Sequence, residues 1–239
     1  MKSIVIAIPA LNEIQNLMII LPEIVKQKMF MLDYKISVFV IVGVDSSDFD
    51  NARITNLGAK VIMRQPTNSF GDAIRSGITA SLLTNPNFII VMDADGSHNP
   101  ETLPKLVETI EKTKAHVVVA SRYIQGGGTA NTRILQLMSK LLNKIYSSIL
   151  NIPAKDVSNN YKIYQADSLK GLNLTCTNFD IVEEILLEIK RKHGEIFKIK
   201  EIPDDFLSRI SGKSNRNLFT FILSYGITLF RLRFREQRR

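Results

Sequence analysis

The chain holds one cysteine, Cys176, in 239 residues, so no internal disulfide can form and a reducing cytosol is the expected compartment. Histidine is almost as scarce. His98, His116 and His193 are the whole set, and Cys176 has no paired histidine signature, which leaves no cysteine–histidine nucleophile to argue for. No stretch reaches the ~20 apolar residues needed to cross a bilayer. The best candidate, Leu218 to Phe230, is broken by Thr220, Ser224, Gly226 and Thr228. Near the amino terminus, Ile4 to Ile8 is apolar, but Pro9 and Glu13 interrupt it too early for a signal peptide, and a first strand is expected instead. Internal repeats and low-complexity tracts are also missing.

The composition that remains is that of a globular chain, with 45% hydrophobic and 23% charged residues and enough length to bury a core. The net charge of +8 is unevenly spread: the last 31 residues carry eight Lys or Arg against one acid, Glu236, for +7, and the other 208 carry +1. A basic tail of this kind implies an anionic partner. With no convincing linker, the expected organisation is one domain over 1–216 and an apolar, basic extension over 217–239.

Short Ile- and Val-rich runs at Ile4–Ile8, Ile36–Gly43, Lys60–Met63, Phe88–Met92 and Val117–Ala120 read as buried strands. Between Glu101 and Thr113, Leu103, Leu106, Val107 and Ile110 have helical spacing behind Pro100. Strand and helix alternating in this way predict an α/β fold, a mainly parallel central sheet with helices on both faces, whose ligands bind beyond the carboxyl ends of the strands. Further helices are expected over about Asn131–Leu150 and Asp180–His193, with a strand over Ile196–Ile202 ended by Pro203.

The sharpest local feature is Val91-Met92-Asp93-Ala94-Asp95-Gly96-Ser97-His98-Asn99-Pro100-Glu101, an apolar strand running into two aspartates at i and i+2. Alternation puts both on one face, and the curl at a strand end lets two carboxylates converge on one ion. Oxygen donors suit Mg²⁺ or Mn²⁺, which take their remaining ligands from water and substrate phosphate. The plainer reading makes Asp93 a strand terminus and Asp95 a turn cap.

At this point the chain resembles a family-2 glycosyltransferase of the GT-A (nucleotide-diphospho-sugar transferase) fold, in its dolichol-phosphate mannosyltransferase-like branch. The resemblance runs in order from Ile6 to about Ser214. Ile8-Pro9-Ala10-Leu11-Asn12-Glu13 is similar to the opening motif that cradles the nucleotide base, implying Pro9, Asn12 and Glu13 as nucleotide contacts. Asp45 falls where the family has an acid after its second strand, and Gly71-Asp72-Ala73-Ile74-Arg75-Ser76-Gly77 resembles the helix start that borders the nucleotide, which brings in Gly71. Asp93-Ala94-Asp95 matches the metal motif. Ser121-Arg122-Tyr123, Asp156 with Tyr161-Lys162-Ile163-Tyr164, and Glu201-Ile202-Pro203 followed by Arg209-Ile210-Ser211-Gly212-Lys213-Ser214 complete the series. The chain departs from the family at four points. Only one acid, Asp45, follows the second strand. Ser97 stands where a side-chain amide often gives a third metal contact. Ser158-Asn159-Asn160-Tyr161 replaces a small residue, glycine and aromatic, and the closing Ser-Lys is Ser214-Asn215. Gly212-Lys213-Ser214 is not a P-loop, because Leu207 stands where the motif needs glycine.

The resemblance implies a metal-dependent hexosyltransferase with a GDP- or UDP-linked sugar as donor and Asp93, Asp95 and Ser97 around Mg²⁺ or Mn²⁺. Negative charge grows on the departing diphosphate, and Arg122, Arg133, Arg209 and Lys213 are candidates to offset it at phosphate or acceptor. A polyprenyl phosphate acceptor needs no general base. A sugar-hydroxyl acceptor on a glycan does, with Asp180 the first candidate and Asp156 the second. A catalytically idle homologue that binds a nucleotide is the reading from a different class. The extension, with Phe219, Phe221, Ile222, Leu223, Ile227, Leu229 and Phe230 ahead of Arg231, Arg233, Arg235, Arg238 and Arg239, fits attachment to an anionic membrane surface without spanning it, at the cytoplasmic face. A second copy of the chain or a membrane protein is the alternative partner for that helix. Nucleic acid is not expected, since few aromatics interleave with these arginines.

Overall fold

A computed structural model describes residues 1–43, 46, 49–64 and 69–210. Strands β1 (Lys2–Ala10), β2 (Tyr34–Gly43), β3 (Lys60–Arg64), β4 (Phe88–Val91), β5 (Val117–Ser121), β6 (Gly128–Thr129), β7 (Lys162–Gln165), β8 (Ile199–Pro203) and β9 (Asp205–Phe206) alternate with helices. The helices are α1 (Ile14–Gln27), α2 (Asn51–Asn56), α3 (Phe70–Leu82), α4 (Leu103–Thr113), α5 (Arg133–Leu150), α6 (Ala166–Leu169) and α7 (Ile181–His193). Seven strands form one sheet in the order β3-β2-β1-β4-β7-β5-β8, and β6 pairs with β9 in a second, two-stranded one. The pairs β1–β2, β1–β4, β2–β3 and β5–β8 are parallel, whereas β7 runs antiparallel to both β4 and β5. This is the mainly parallel α/β sheet expected from the alternation, with one reversed strand that periodicity alone does not reveal.

The two faces bury separate clusters. Ile4, Ile6 and Ile8 of β1 point to the side covered by Leu17, Leu21 and Ile24 of α1 and Leu103, Leu106 and Ile110 of α4. On the other side Ile89, Val91, Val117 and Val119 meet Ile74 and Ile78 of α3, Tyr146 and Leu150 of α5, and Ile181, Ile185 and Ile189 of α7. Central strands buried on both faces carry unbroken apolar runs, which is why Phe88–Val91 and Val117–Ser121 show no polar alternation. Helix α3 sits close to the sheet because Gly77 lacks a side chain, and a Cβ there would lie 3.2 Å from Ile41 Cγ1.

Short 3₁₀ turns move two boundaries from expectation. Residues 100–102 form a 3₁₀ turn before α4, with the Asn99 side chain capping the Glu101 amide, so the α-helix starts at Leu103 rather than Glu101. Gly194–Ile196 is a second 3₁₀ turn, so β8 begins at Ile199 rather than Ile196. Among the described residues no helix is long and apolar enough to cross a membrane.

Candidate active site

Strands β1 and β4 are neighbours, and the loops leaving their carboxyl ends share the crevice where such sheets bind ligands. On the β1 side, Pro9 lies within the strand, and Asn12 takes a left-handed conformation (φ 55°) that asparagine tolerates better than most residues. The Asn12 amide and side chain both meet Ser46 Oγ at 3.2 Å, which ties the end of β1 to the segment after β2. The Glu13 carboxylate accepts from the Asn16 side-chain Nδ2 in the first turn of α1. Asp45 lies outside the described residues.

Gly71 turns out to serve chain crossing. Its amide donates to the Thr177 carbonyl at 2.8 Å, and a Cβ would overlap the Cys176 carbonyl oxygen. Arg75 reaches that same oxygen at 2.5 Å. Glycine is therefore required here by the backbone of the 176–177 loop, whatever else the helix end meets.

On the β4 side the two aspartates are held very differently. Asp95 is buried at 5% exposure; its Oδ1 accepts from the Ser97 amide (3.0 Å) and hydroxyl (2.5 Å), and its Oδ2 lies 2.8 Å from Arg209 Nε. Burial raises the Asp95 carboxyl, but the Ser97 bonds and the Arg209 charge outweigh it and hold the group below the usual carboxylate range. Asp93 is more open, with 24% of its side chain exposed, and its Oδ1 accepts from Asn160 Nδ2 at 2.8 Å. The Asp93 amide donates to His98 Nδ1 at 2.9 Å, so the neutral ring carries its proton on Nε2, which faces Asn159 Oδ1 at 3.0 Å. Asn159 in turn donates to the Ala120 carbonyl at 2.5 Å, and the His98 ring stacks on Tyr161. A buried histidine thus ties the metal-motif loop to β5.

The segment after β9 lies across this loop. The Leu207 amide donates to the Ser97 carbonyl and the Ile210 amide to the Asp95 carbonyl, at 2.9 and 3.1 Å. Gly96 (φ 80°) accommodates the Ile210 side chain above it. These bonds bring Arg209 to Asp95. Lys213 lies outside the described residues.

Arg122 and Asp156 form a second pair. Asp156 is fully buried; its Oδ2 accepts from the Arg122 amide (2.9 Å) and Nε (2.8 Å), and its Oδ1 from Nη2 (2.6 Å). With both oxygens engaged by Arg122, this carboxylate fixes the position of that arginine. Asp180 precedes α7 at 8% exposure and accepts from the Asn178 amide at 3.1 Å. Arg133 opens α5 on the exposed surface and makes no ion pair among the described residues. The free thiol of Cys176 is buried, and burial with the nearby Glu184 and Asp180 charges pushes its ionisation far up, so it is inert.

Residues 5–172, more than half of the chain, match the family described as Glycosyl transferase family 2. The chain belongs to that family. Within it, the chain is 29% identical over 160 residues to an undecaprenyl-phosphate mannosyltransferase of Micrococcus luteus, covering 64% of this chain and 63% of that one. It is 29% identical over 219 residues to a dolichol-phosphate mannosyltransferase of Pyrococcus furiosus, covering 87% and 58%. A polyprenol monophosphomannose synthase of Mycolicibacterium smegmatis is 26% identical over 181 residues, covering 70% and 65%. The chain thus spans less than two thirds of the length of these curated relatives. Among solved structures, glucosyl-3-phosphoglycerate synthase from Mycobacterium tuberculosis, in complex with Mn²⁺, uridine diphosphate and glucosyl-3-phosphoglycerate, superposes with a TM-score of 0.70 at 17% identity, covering 97% of this chain and 80% of that one. Its complex with Mg²⁺ and uridine diphosphate gives 0.68 at 18% identity, covering 97% and 79%. At that identity the likeness is one of fold.

In this family 2 chain several residues that the sequence motifs contain, without a role assigned to them, support the site. Asn160, Asn159 and His98 form the bonded support of Asp93. Lys162 is fully buried beneath them, donating to the Val157 and Asn159 carbonyls, and burial pushes its ammonium down to about 8 against the opposing pull of Glu183 and Asp156. Asp204 donates its buried position to the same region: Thr102 bonds its Oδ1 at 2.5 Å, its Oδ2 has no hydrogen-bond partner among the described residues, and burial raises its carboxyl. The substitution of two asparagines for a small residue and glycine was the available signal for Asn159 and Asn160.

Proposed function

We propose that the chain is an inverting glycosyltransferase that moves a sugar from a GDP- or UDP-linked donor to a polyprenyl phosphate at a membrane surface. The observation that carries this reading is the Arg209–Asp95 ion pair in the loop that leaves β4, two residues after the part-exposed Asp93, at the carboxyl edge of β1 and β4. The acceptor class rests on the three curated relatives, each acting by its name with a polyprenyl-type phosphate.

The donor set fits a divalent ion. Asp93 and Asp95 are hard oxygen ligands, and the Arg209 guanidinium 2.8 Å from Asp95 marks a position where positive charge is already favoured. Two carboxylates would leave the remaining positions of such an ion to phosphate and water. Asp93 and Asp95 would hold Mg²⁺ or Mn²⁺, with the Ser97 hydroxyl orienting Asp95. When bound, the ion supplies positive charge to the departing nucleoside diphosphate. Arg209 adds a cation able to pivot from Asp95 to a phosphate oxygen. Arg122, fixed by Asp156, presents a preorganised edge beside the cleft. Asn12, Glu13 and Asp45 would face the nucleoside, with Lys213 and Arg133 at its phosphate and acceptor margins. A phosphate acceptor is anionic already and attacks without a base, in keeping with the engagement of both Asp156 oxygens by Arg122.

The test is a matrix of radiolabelled GDP- and UDP-sugars with Mg²⁺ or Mn²⁺ and a polyprenyl phosphate in detergent. Label passing into organic solvent, and abolished by EDTA, is the expected result. Label transferred only to water-soluble glycans would replace the lipid acceptor with a hydroxyl one, and nucleotide binding without any transfer would make the chain an idle homologue.

A further inference from the structure

Helix α5 carries two faces. Asn143, Tyr146 and Leu150, spaced i, i+3 and i+7, are buried against the body, and they are all of the helix that is. On the opposite side Ile134, Leu137, Leu141, Ile145 and Ile149 recur every three or four residues and stay open, with Ile134 at 71%, Leu137 at 68% and Leu141 at 59% exposure. Isolated exposed leucines are ordinary; five in one stripe along four turns are not.

Charge decides what fits over that stripe. Between Arg122 and Lys155 the chain has no aspartate or glutamate, while Arg122, Arg133, Lys140, Lys144 and Lys155 are all cationic. On a helical projection Arg133, Lys140 and Lys144 border one side of the stripe. A second copy packed on α5 would bring these cations against an identical acid-free helix. The segment 211–239 holds Lys213, Arg216 and five further arginines against Glu236 alone, so it too repels rather than neutralises. An anionic bilayer satisfies both features at once, taking the apolar stripe into the acyl boundary and the cations into the headgroups.

We infer that α5 is a membrane-contacting helix that lies in the interface of an anionic bilayer through Ile134, Leu137, Leu141, Ile145 and Ile149. This deepens the proposed function, resting on it for the lipid-linked acceptor but not for the lipid contact itself. The helix is coupled to the cleft: the Lys140 ammonium and the Arg122 guanidinium stand 5.6 and 4.9 Å from the centre of the same Tyr123 ring. Just ahead of α5, β6 pairs with β9, which leads into the strap carrying Arg209. Seating α5 on the surface would bring lipid phosphate to the side of the site where Arg122 is held.

The experiment uses the full chain with an environment-sensitive fluorophore on Leu137→Cys or Leu141→Cys, and on Glu108→Cys of α4, on the opposite face of the sheet, as control. The buried, unreactive Cys176 leaves the introduced thiol as the labelling site. With vesicles of phosphatidylcholine plus phosphatidylglycerol, emission at 137 and 141 should brighten and move to shorter wavelength, while 108 stays unchanged and phosphatidylcholine alone has little effect. In the unlabelled chain, Leu137→Glu with Leu141→Glu should weaken vesicle binding by roughly tenfold or more, with nucleotide binding in solution unchanged. Unchanged emission at 137 and 141 on a chain that still floats with the vesicles overturns the inference and leaves the acceptor reading standing. Emission that shifts without vesicles, together with a dimer mass in sedimentation equilibrium, overturns it in favour of a second copy. A clear vesicle response from a chain that yields no lipid-extractable product supports the α5 contact and removes the proposed reaction instead.

Discussion

Arg122–Asp156 and Arg209–Asp95 are the same chemical pair set in two parts of one cleft. In the first, the carboxylate is fully buried, the arginine side chain is 10% exposed and three hydrogen bonds join them. In the second, the arginine is 39% exposed and meets Asp95 through Nε at 2.8 Å, on a strap that itself rests on two backbone bonds. Removing one partner of a desolvated pair strands a charge in a medium that cannot solvate it, whereas in the second pair Asp95 is buried but keeps its Ser97 bonds and the part-exposed Arg209 can be solvated by water. Burial therefore makes the first pair a fixed element of the scaffold and leaves the second free to exchange partners, which is what a site receiving a charged substrate requires.

The comparison can be broken most directly at Asp95. Asp95→Asn keeps the shape and the Ser97 contact but removes the charge, and turnover should fall by about three orders of magnitude. Calorimetry with a nucleoside diphosphate should show metal-dependent binding lost while the thermal midpoint barely moves; equal affinity of the wild type in EDTA would remove the metal role altogether. Asp156→Ala should do the reverse, costing about 3–5 kcal/mol of stability by stranding Arg122, as read from urea denaturation. Were it to unfold no more readily than wild type, Asp156 would not be the scaffold residue described. Arg209→Ala sharpens the contrast from the exposed side: turnover should drop about ten- to a hundredfold, while stability changes by less than about 1 kcal/mol. Unchanged kinetics would reduce Arg209 to a surface contact.

Smaller effects separate support from contact. Asn160→Ala removes the 2.8 Å bond to Asp93 and should weaken Mn²⁺ affinity several-fold, about 1 kcal/mol, measurable by electron paramagnetic resonance without any turnover. Asp204 offers a pH signature. Burial raises its folded-state carboxyl above the unfolded value, so the native state binds the proton more tightly. Its contribution to stability is complete below the unfolded pKa and declines as pH rises through the folded one. Asp204→Asn should therefore gain stability on wild type as the pH is raised from 4 to 7 in paired denaturation curves, and a constant difference would show that Asp204 does not titrate in that window.

Strand positions β1 to β5 and the apolar stripes of α4 and α7 were legible from the residues alone, because alternation and 3.6-residue spacing are local consequences of backbone geometry. The i, i+2 aspartates were legible for the same reason, and the order of the motifs pointed to the family. The extension over 217–239, Asp45 and Lys213 lie outside the described residues. What local pattern did not carry was pairing. That β7 enters the sheet reversed between β4 and β5, that Asp156 is consumed by Arg122, that Gly71 exists to let the 176–177 backbone pass, and that Asn160 and His98 hold Asp93 all depend on contacts between residues far apart in the chain. The sequence by itself determined which segments are strands and helices and where the carboxylates and arginines stand along them. Only the tertiary structure decided which charges are buried against each other and which face the cleft, because desolvation is a property of the packed whole and no window of sequence contains it.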